Sequence, residues 1–411
     1  MTSSLPSAAS SVPPPVPRPS EPAWHADQTH LLALVARVLR VESVMWGGPE
    51  DHIVARFTGR LLGDSQAAFE RLWVALEPWD LTPVFRVGTG GEHVVLLARG
   101  RLRPRPSRWW VNALLFALTV LSVLWTGVFG HLEGSLWAAL QQGLLFTGAL
   151  MAILLAHEFG HYFMARRHGM AVSLPYFLPL PAPFSPFGTL GAFIRLKEPP
   201  RNRRVLLDVG LAGPLAGMVV AVPLLFVGLQ WSQVGPLPAP PPGQMLMLEG
   251  NSLFYLLAKY VVFGQWLPAP PEGFTFGQAL RFMLTGRPLP WGGTDVLLHP
   301  VAFAAWIGLL VTALNLLPVG QLDGGHVLFS LLGYRARRLF PVVLGLTALL
   351  GVFWSGWWLW TALIFFLGRT YAEPLDMITE LDPPRRWAAW LGLAIWVLTL
   401  APIPLRVFVA G

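Results

Sequence analysis

His157-Glu158-Phe159-Gly160-His161 lies inside an apolar run from Leu136 to Met164. Two histidines and a glutamate are costly to place in hydrocarbon, so at such a depth they are expected to do chemistry. On an α-helix, imidazoles four positions apart share one face at metal-binding distance. The glutamate one step round can hold and deprotonate a metal-activated water. The chemistry implied is that of a zinc hydrolase, with His157 and His161 as ligands and Glu158 as the base. The alternative is a polar patch between helices that holds no metal.

Such a site needs a third protein ligand and an open position for water. The chain has no cysteine, which removes thiolate ligands, disulfides and thiol nucleophiles together and leaves histidine or a carboxylate. Asp323 fits best. It follows a hydrophobic run in Asn315-Leu-Leu-Pro-Val-Gly-Gln-Leu-Asp323-Gly-Gly, where Pro318 and Gly320 break the helix and let the backbone deliver a carboxylate sideways. Depth agrees, because His161 lies five residues before Arg166 and Asp323 twelve before Arg335. The competing readings are a helix-capping role for Asp323 and ligation by His326 instead. His168 and His299 read as ordinary interfacial histidines, and Asp208 as a polar group at a helix end.

The elements that position these residues are membrane elements. Mean hydropathy is +0.54, and 54% of the 411 residues are hydrophobic against 12% charged, so the lipid bilayer is the main solvent. The 19 Trp suit interfacial belts, and the net charge of +7 sits mostly in arginine clusters flanking apolar runs, which excludes nucleic acid as a partner. Spans are expected at 109–130, 136–164, 205–229 and 300–322. Segment 339–367, broken at Ser355-Gly356, is one tilted helix or a short hairpin; Arg369, Arg385 and Arg386 favour the hairpin, and a last span at 387–409 then follows. Arg101 to Arg108, Arg166-Arg167, Arg201 to Arg204 and Arg335 to Arg338 then share one side and make the amino terminus cytoplasmic.

Segment 230–299 falls on the outer side, with Pro-rich stretches at 236–243 and 267–271 and an apolar run at 252–263 too short to span. Phe187 to Leu196 alternates small and bulky residues and predicts a strand or hairpin at membrane depth. Residues 27–104 have the composition of a small soluble α/β domain: a helix at 29–41, strands at 52–57, 83–87 and 93–98, and a helix at 66–76. Residues 1–26 form a Pro/Ser-rich tail expected to be disordered; with Arg18 its only basic residue it makes a poor transit peptide, which favours a bacterial inner membrane. The expected fold is a mainly α polytopic membrane protein of about six spans with a small membrane-embedded strand region, preceded by a small α/β soluble domain.

HEFGH in one span, NLLPVGQLDGG in a later one and AGPLAG between them resemble the site-2 protease family of intramembrane zinc metalloproteases, over about residues 109 to 385. By position, the resemblance implies His157, His161 and Asp323 as ligands of one Zn2+ and Glu158 as the catalytic acid/base. It also places Asn315 where the family has an asparagine near the metal, in an oxyanion or substrate role, and sets 187–196 beside the active site as a strand that receives substrate. Single-span membrane proteins are the implied substrates. Segment 230–299 is short for a peptide-binding PDZ module, so the resemblance points to the subgroup with an amino-terminal extension, which includes bacterial and chloroplast members. Two rival classes are a metal or proton transporter and a non-proteolytic scaffold that binds client helices. The concentration of ionisable groups in one helix and one loop argues against the first, and Glu158 against the second.

Overall fold

The computed structural model describes residues 28–48, 51–101, 106–130, 135–237, 245–270, 273–285 and 293–409. The tail at 1–26, and the Pro-rich stretch at 236–243 beyond Leu237, lie outside them. The chain divides into two compact units, Met1–Arg101 and Leu102–Gly411.

In the first unit, α1 (Gln28–Ala36), β1 (Leu39–Trp46), β2 (Ile53–Leu61), α2 (Ser65–Ala75), β3 (Leu81–Val87) and β4 (His93–Arg99) form an antiparallel sheet, order β1-β2-β4-β3, with two helices. The core joins Leu31 and Val35 of α1 and Phe69 and Leu72 of α2 to Phe57, Phe85, Val95 and Leu97 of the sheet. Asp64 caps α2, accepting from the Ala67 amide. The helix expected at 29–41 stops at Ala36, because from Leu39 the backbone pairs with β2, Leu39 opposite Leu61. This partner is distant in sequence, and a propensity reading cannot supply it.

The second unit contains α3 (Trp109–Phe129), α4 (Leu136–Arg167), β5 (Tyr176–Pro179), β6 (Thr189–Phe193), α5 (Arg203–Gln230), β7 (Gln233–Pro236), β8 (Met245–Glu249), α6 (Leu253–Phe263), α7 (Phe276–Thr285), β9 (Thr294–Leu297), α8 (Pro300–Asn315), α9 (Asp323–Leu332), α10 (Phe340–Phe353), α11 (Gly356–Leu367), α12 (Pro383–Thr399) and β10 (Leu405–Val409). Among the described residues four helical segments are long and apolar enough to cross a membrane: α3, α4, α5 and the continuous run Asp323–Phe353. The span expected at 300–322 is instead the 16-residue α8. The chain leaves the helix after Asn315, ahead of Pro318, whose ring and missing N–H cannot continue it. Where a last span was expected at 387–409 the chain forms the 17-residue α12, outside the four segments long and apolar enough to cross a membrane; it starts at Pro383 on the Asp382 cap and ends before Pro402 and Pro404. The 339–367 segment is a hairpin, α10 and α11 turning at Trp354-Ser355.

The core is built where α4, α5 and α8 meet, around Leu150, Ile153 and Leu154, Ala221 and Leu225, and Ala305 and Leu309. β5 and β6 pair antiparallel, Tyr176 opposite Phe193, which gives the 187–196 segment the expected strand. Two further ribbons, β7–β9 and β8–β10, close the segment after α5. Behind them Lys259 Nζ donates to Asp295 Oδ1 at 3.1 Å, and Tyr255 OH donates to Glu249 Oε1 at 2.9 Å, all four side chains buried. A buried ion pair adds little net stability, yet removing one partner strands the other charge. Asp295→Ala is therefore expected to destabilise the fold by about 3–5 kcal/mol, read as a fall in Tm. An unchanged Tm would mean that Lys259 reaches water.

Candidate active site

α4 carries His157, Glu158 and His161 four residues and one residue apart, so one helical turn places both imidazoles on the face that meets α5 and α8. All three side chains are buried. The third group arrives from a broken segment: Leu316 and Leu317 leave α8, the chain turns, and Asp323 is the first residue of α9. The turn is tight enough that a Cβ at Gly324 would overlap the Leu316 carbonyl. Only glycine after the aspartate lets α9 start so close to the end of α8.

His157 Nε2 and His161 Nε2 lie 3.2 Å apart, and Asp323 Oδ2 is 3.4 Å from the first and 3.3 Å from the second. A tetrahedral ion with ligand bonds of about 2.0–2.1 Å has ligand-to-ligand edges of about 3.3–3.4 Å. The triangle therefore has the size of one face of a zinc site. His161 Nδ1–H donates to the Val209 carbonyl at 2.7 Å, which fixes the tautomer and leaves the Nε2 lone pair for the ion. These are the groups of three or more His, Asp or Glu side chains that could hold a metal among the described residues. His326 is outside the group, although it lines the same cleft.

The cleft holds about 200 Å³. Glu158 lines it, and its Oε2 is buried without a hydrogen-bond partner among the described residues, a costly state unless a water or substrate group completes it. Asn315, the last residue of α8, brings its Nδ2 to 3.3 Å from His157 Nε2. Ala192 and Phe193 of β6, with Ile194, form another wall. The other sequence candidates are placed elsewhere. His168 pairs with Asp208 at 3.0 Å, and Arg385 grips the same carboxylate through two contacts of 2.8 Å, which ties the end of α4 to α5 and α12. His299 caps α8.

Sequence reasoning missed the residues that fit α5 against the two imidazoles. A Cβ at Gly213 would overlap the His161 ring, and one at Gly217 would lie 3.3 Å from His157 Cβ and Nδ1. Their spacing of four is the small-residue signature of close helix contact, and it was visible in AGPLAG.

The model of peptidase family M50 matches residues 145–353, which is half of the chain and includes all five site residues. The chain is 27% identical over 372 residues to the probable zinc metalloprotease EGY2, chloroplastic, of Oryza sativa subsp. indica, covering 84% of this chain and 60% of that protein. It is 29% identical over 360 residues to the probable zinc metalloprotease EGY2, chloroplastic, of Arabidopsis thaliana, covering 84% and 59%. With the Arabidopsis probable zinc metalloprotease EGY1, chloroplastic, identity is 28% over 389 residues, covering 84% and 66%. The chain thus spans about three fifths of the length of the EGY2 relatives. No solved structure matches. The apolar helices, the His-His-Asp triangle and the matched region agree, and the chain belongs to peptidase family M50, the site-2 proteases.

Proposed function

We propose that this protein is an intramembrane zinc endopeptidase that hydrolyses a peptide bond within or beside the transmembrane segment of another membrane protein. The observation that carries the reading is the triangle of His157, His161 and Asp323 beside an unpartnered, buried Glu158 carboxylate. A binding scaffold has no use for that carboxylate. His157, His161 and Asp323 would hold zinc, which as a Lewis acid polarises the scissile carbonyl and makes water more acidic.

The chain's own residues do the rest. The Glu158 carboxylate takes the proton of the attacking water and returns it to the leaving amine, so one group serves as base and then acid. The Asn315 amide, held at the end of α8 beside His157, donates to the oxygen on which charge develops. Val209, through the His161 Nδ1–H, keeps that imidazole from turning as charge moves. β6 has strand pairing on one edge, to β5, among the described residues, and its neighbours line the cleft. An extended substrate segment can lie along its other edge by strand addition. Arginines at the end of α4, at the start of α5 and before α10 support the reading that the cleft opens toward the cytoplasm.

A helical substrate shields its peptide bonds in its own hydrogen bonds, so the segment must unwind before the cleft can take it. Gly or Pro placed near the cleavage position of a single-span reporter is expected to raise its cleavage by purified protein several-fold. Equal cleavage of helix-stabilised and helix-broken reporters would remove the unwinding step from the mechanism.

A further inference from the structure

A second cavity, of about 680 Å³, lies at the turn of the α10–α11 hairpin, where α7 and β10 meet it. Its lining combines Arg281, Arg406 and Ser355 with the apolar Val352, Phe353 and Trp354. Among the described residues no carboxylate lines it. Arg406 is 6% exposed, and its Nη2 donates to the Met283 carbonyl at 3.4 Å and the Leu284 carbonyl at 3.1 Å. Its Nε is buried with no partner among the described residues. The two carbonyls leave the guanidinium charge unneutralised, and an anion in the cavity that Arg406 lines would neutralise it.

Asp295 and Glu249, the carboxylates that act on Arg406, lie outside the cavity lining and are already engaged. Asp295 is engaged by Lys259, while Glu249, which accepts from Tyr255 OH, has its carboxyl pushed up to about 7 by burial and by Asp295 alongside. Val352 and Phe353 are largely exposed at the end of an apolar helix. In a membrane-embedded chain, a hairpin turn between two apolar helices marks the level of the lipid headgroups. Basic lining residues and exposed apolar ones together at that level match the two ends of a lipid.

We propose that this cavity binds the phosphate of an anionic membrane lipid, held by Arg406, Arg281 and Ser355, with an acyl chain running along Val352 and Phe353. The site rests on the membrane reading and not on the proteolytic one. Its effect is to pin β10 and α7 to the hairpin.

The test uses the full-length protein purified in a neutral detergent and titrated with phosphatidylglycerol, phosphatidylcholine or inorganic phosphate, with binding read by native mass spectrometry and by Tm. One phosphatidylglycerol per chain is expected, bound at least tenfold more tightly than phosphatidylcholine and raising Tm. Arg406→Gln is expected to weaken it tenfold or more. Arg281→Gln, an exposed change that leaves folding intact, is expected to weaken it several-fold. Equal binding of the two lipids, or indifference to both substitutions, would overturn the proposal. Binding of inorganic phosphate as tight as that of phosphatidylglycerol would overturn the lipid and leave a soluble phosphate site.

Discussion

Glu158→Gln is expected to lower cleavage of a single-span reporter by about 10²–10⁴-fold, while bound zinc stays at the wild-type level. Glutamine keeps the shape of the side chain and its place in the buried cleft, so the change removes the proton acceptor and little else. The His157, His161 and Asp323 donors form a complete set without it. Cleavage assayed alongside elemental analysis separates the two effects. Retained activity would take the base role away from Glu158, and loss of zinc together with activity would make Glu158 part of the ligand set.

The second large effect belongs to a residue with no functional group. Gly213→Val is expected to abolish both zinc binding and cleavage, much as loss of a ligand would. The added side chain would occupy the space of the His161 imidazole, which is also tied to the Val209 carbonyl one turn earlier on α5. The ring can move only by breaking that bond and leaving the triangle, and disturbing such a support typically costs 10–100-fold in metal affinity. Gly148→Val in α4 is the matched control, because nothing lies within 4 Å of its Cβ position. That variant is expected to keep zinc and activity. If Gly213→Val kept its zinc, α5 would have to stand further from α4 than described here.

The candidate site groups were legible because their signals are local. His157, Glu158 and His161 occupy a single turn of helix, and Asp323 is announced by the helix-breaking residues just before it. The outline of the bundle was legible for a similar reason: apolar runs and their arginine flanks mark α3, α4 and α5 to within a few residues. The reading failed where distant chain segments decide the outcome. β1 exists because β2 pairs with it. β10 forms a strand because β8, on the far side of seven α-helices in sequence, offers it a register, Leu405 opposite Glu249. Hydropathy alone extended α8 through Pro318 and α12 to the end of the chain, since apolar residues continue past the point where proline stops the helix. The Val209 carbonyl and the Gly213 contact emerge only once α5 is laid against α4.

The most direct measurement is cleavage of a single-span reporter by the purified protein, with zinc quantified in the same samples, for wild type, wild type stripped by a chelator and then resupplied with zinc, and Asp323→Ala. The account predicts one zinc per chain and cleavage in the wild type, loss of both on stripping and recovery of both on resupply, and neither zinc nor cleavage in Asp323→Ala. Cleavage that persists in fully stripped protein, or stoichiometric zinc in Asp323→Ala, would contradict it.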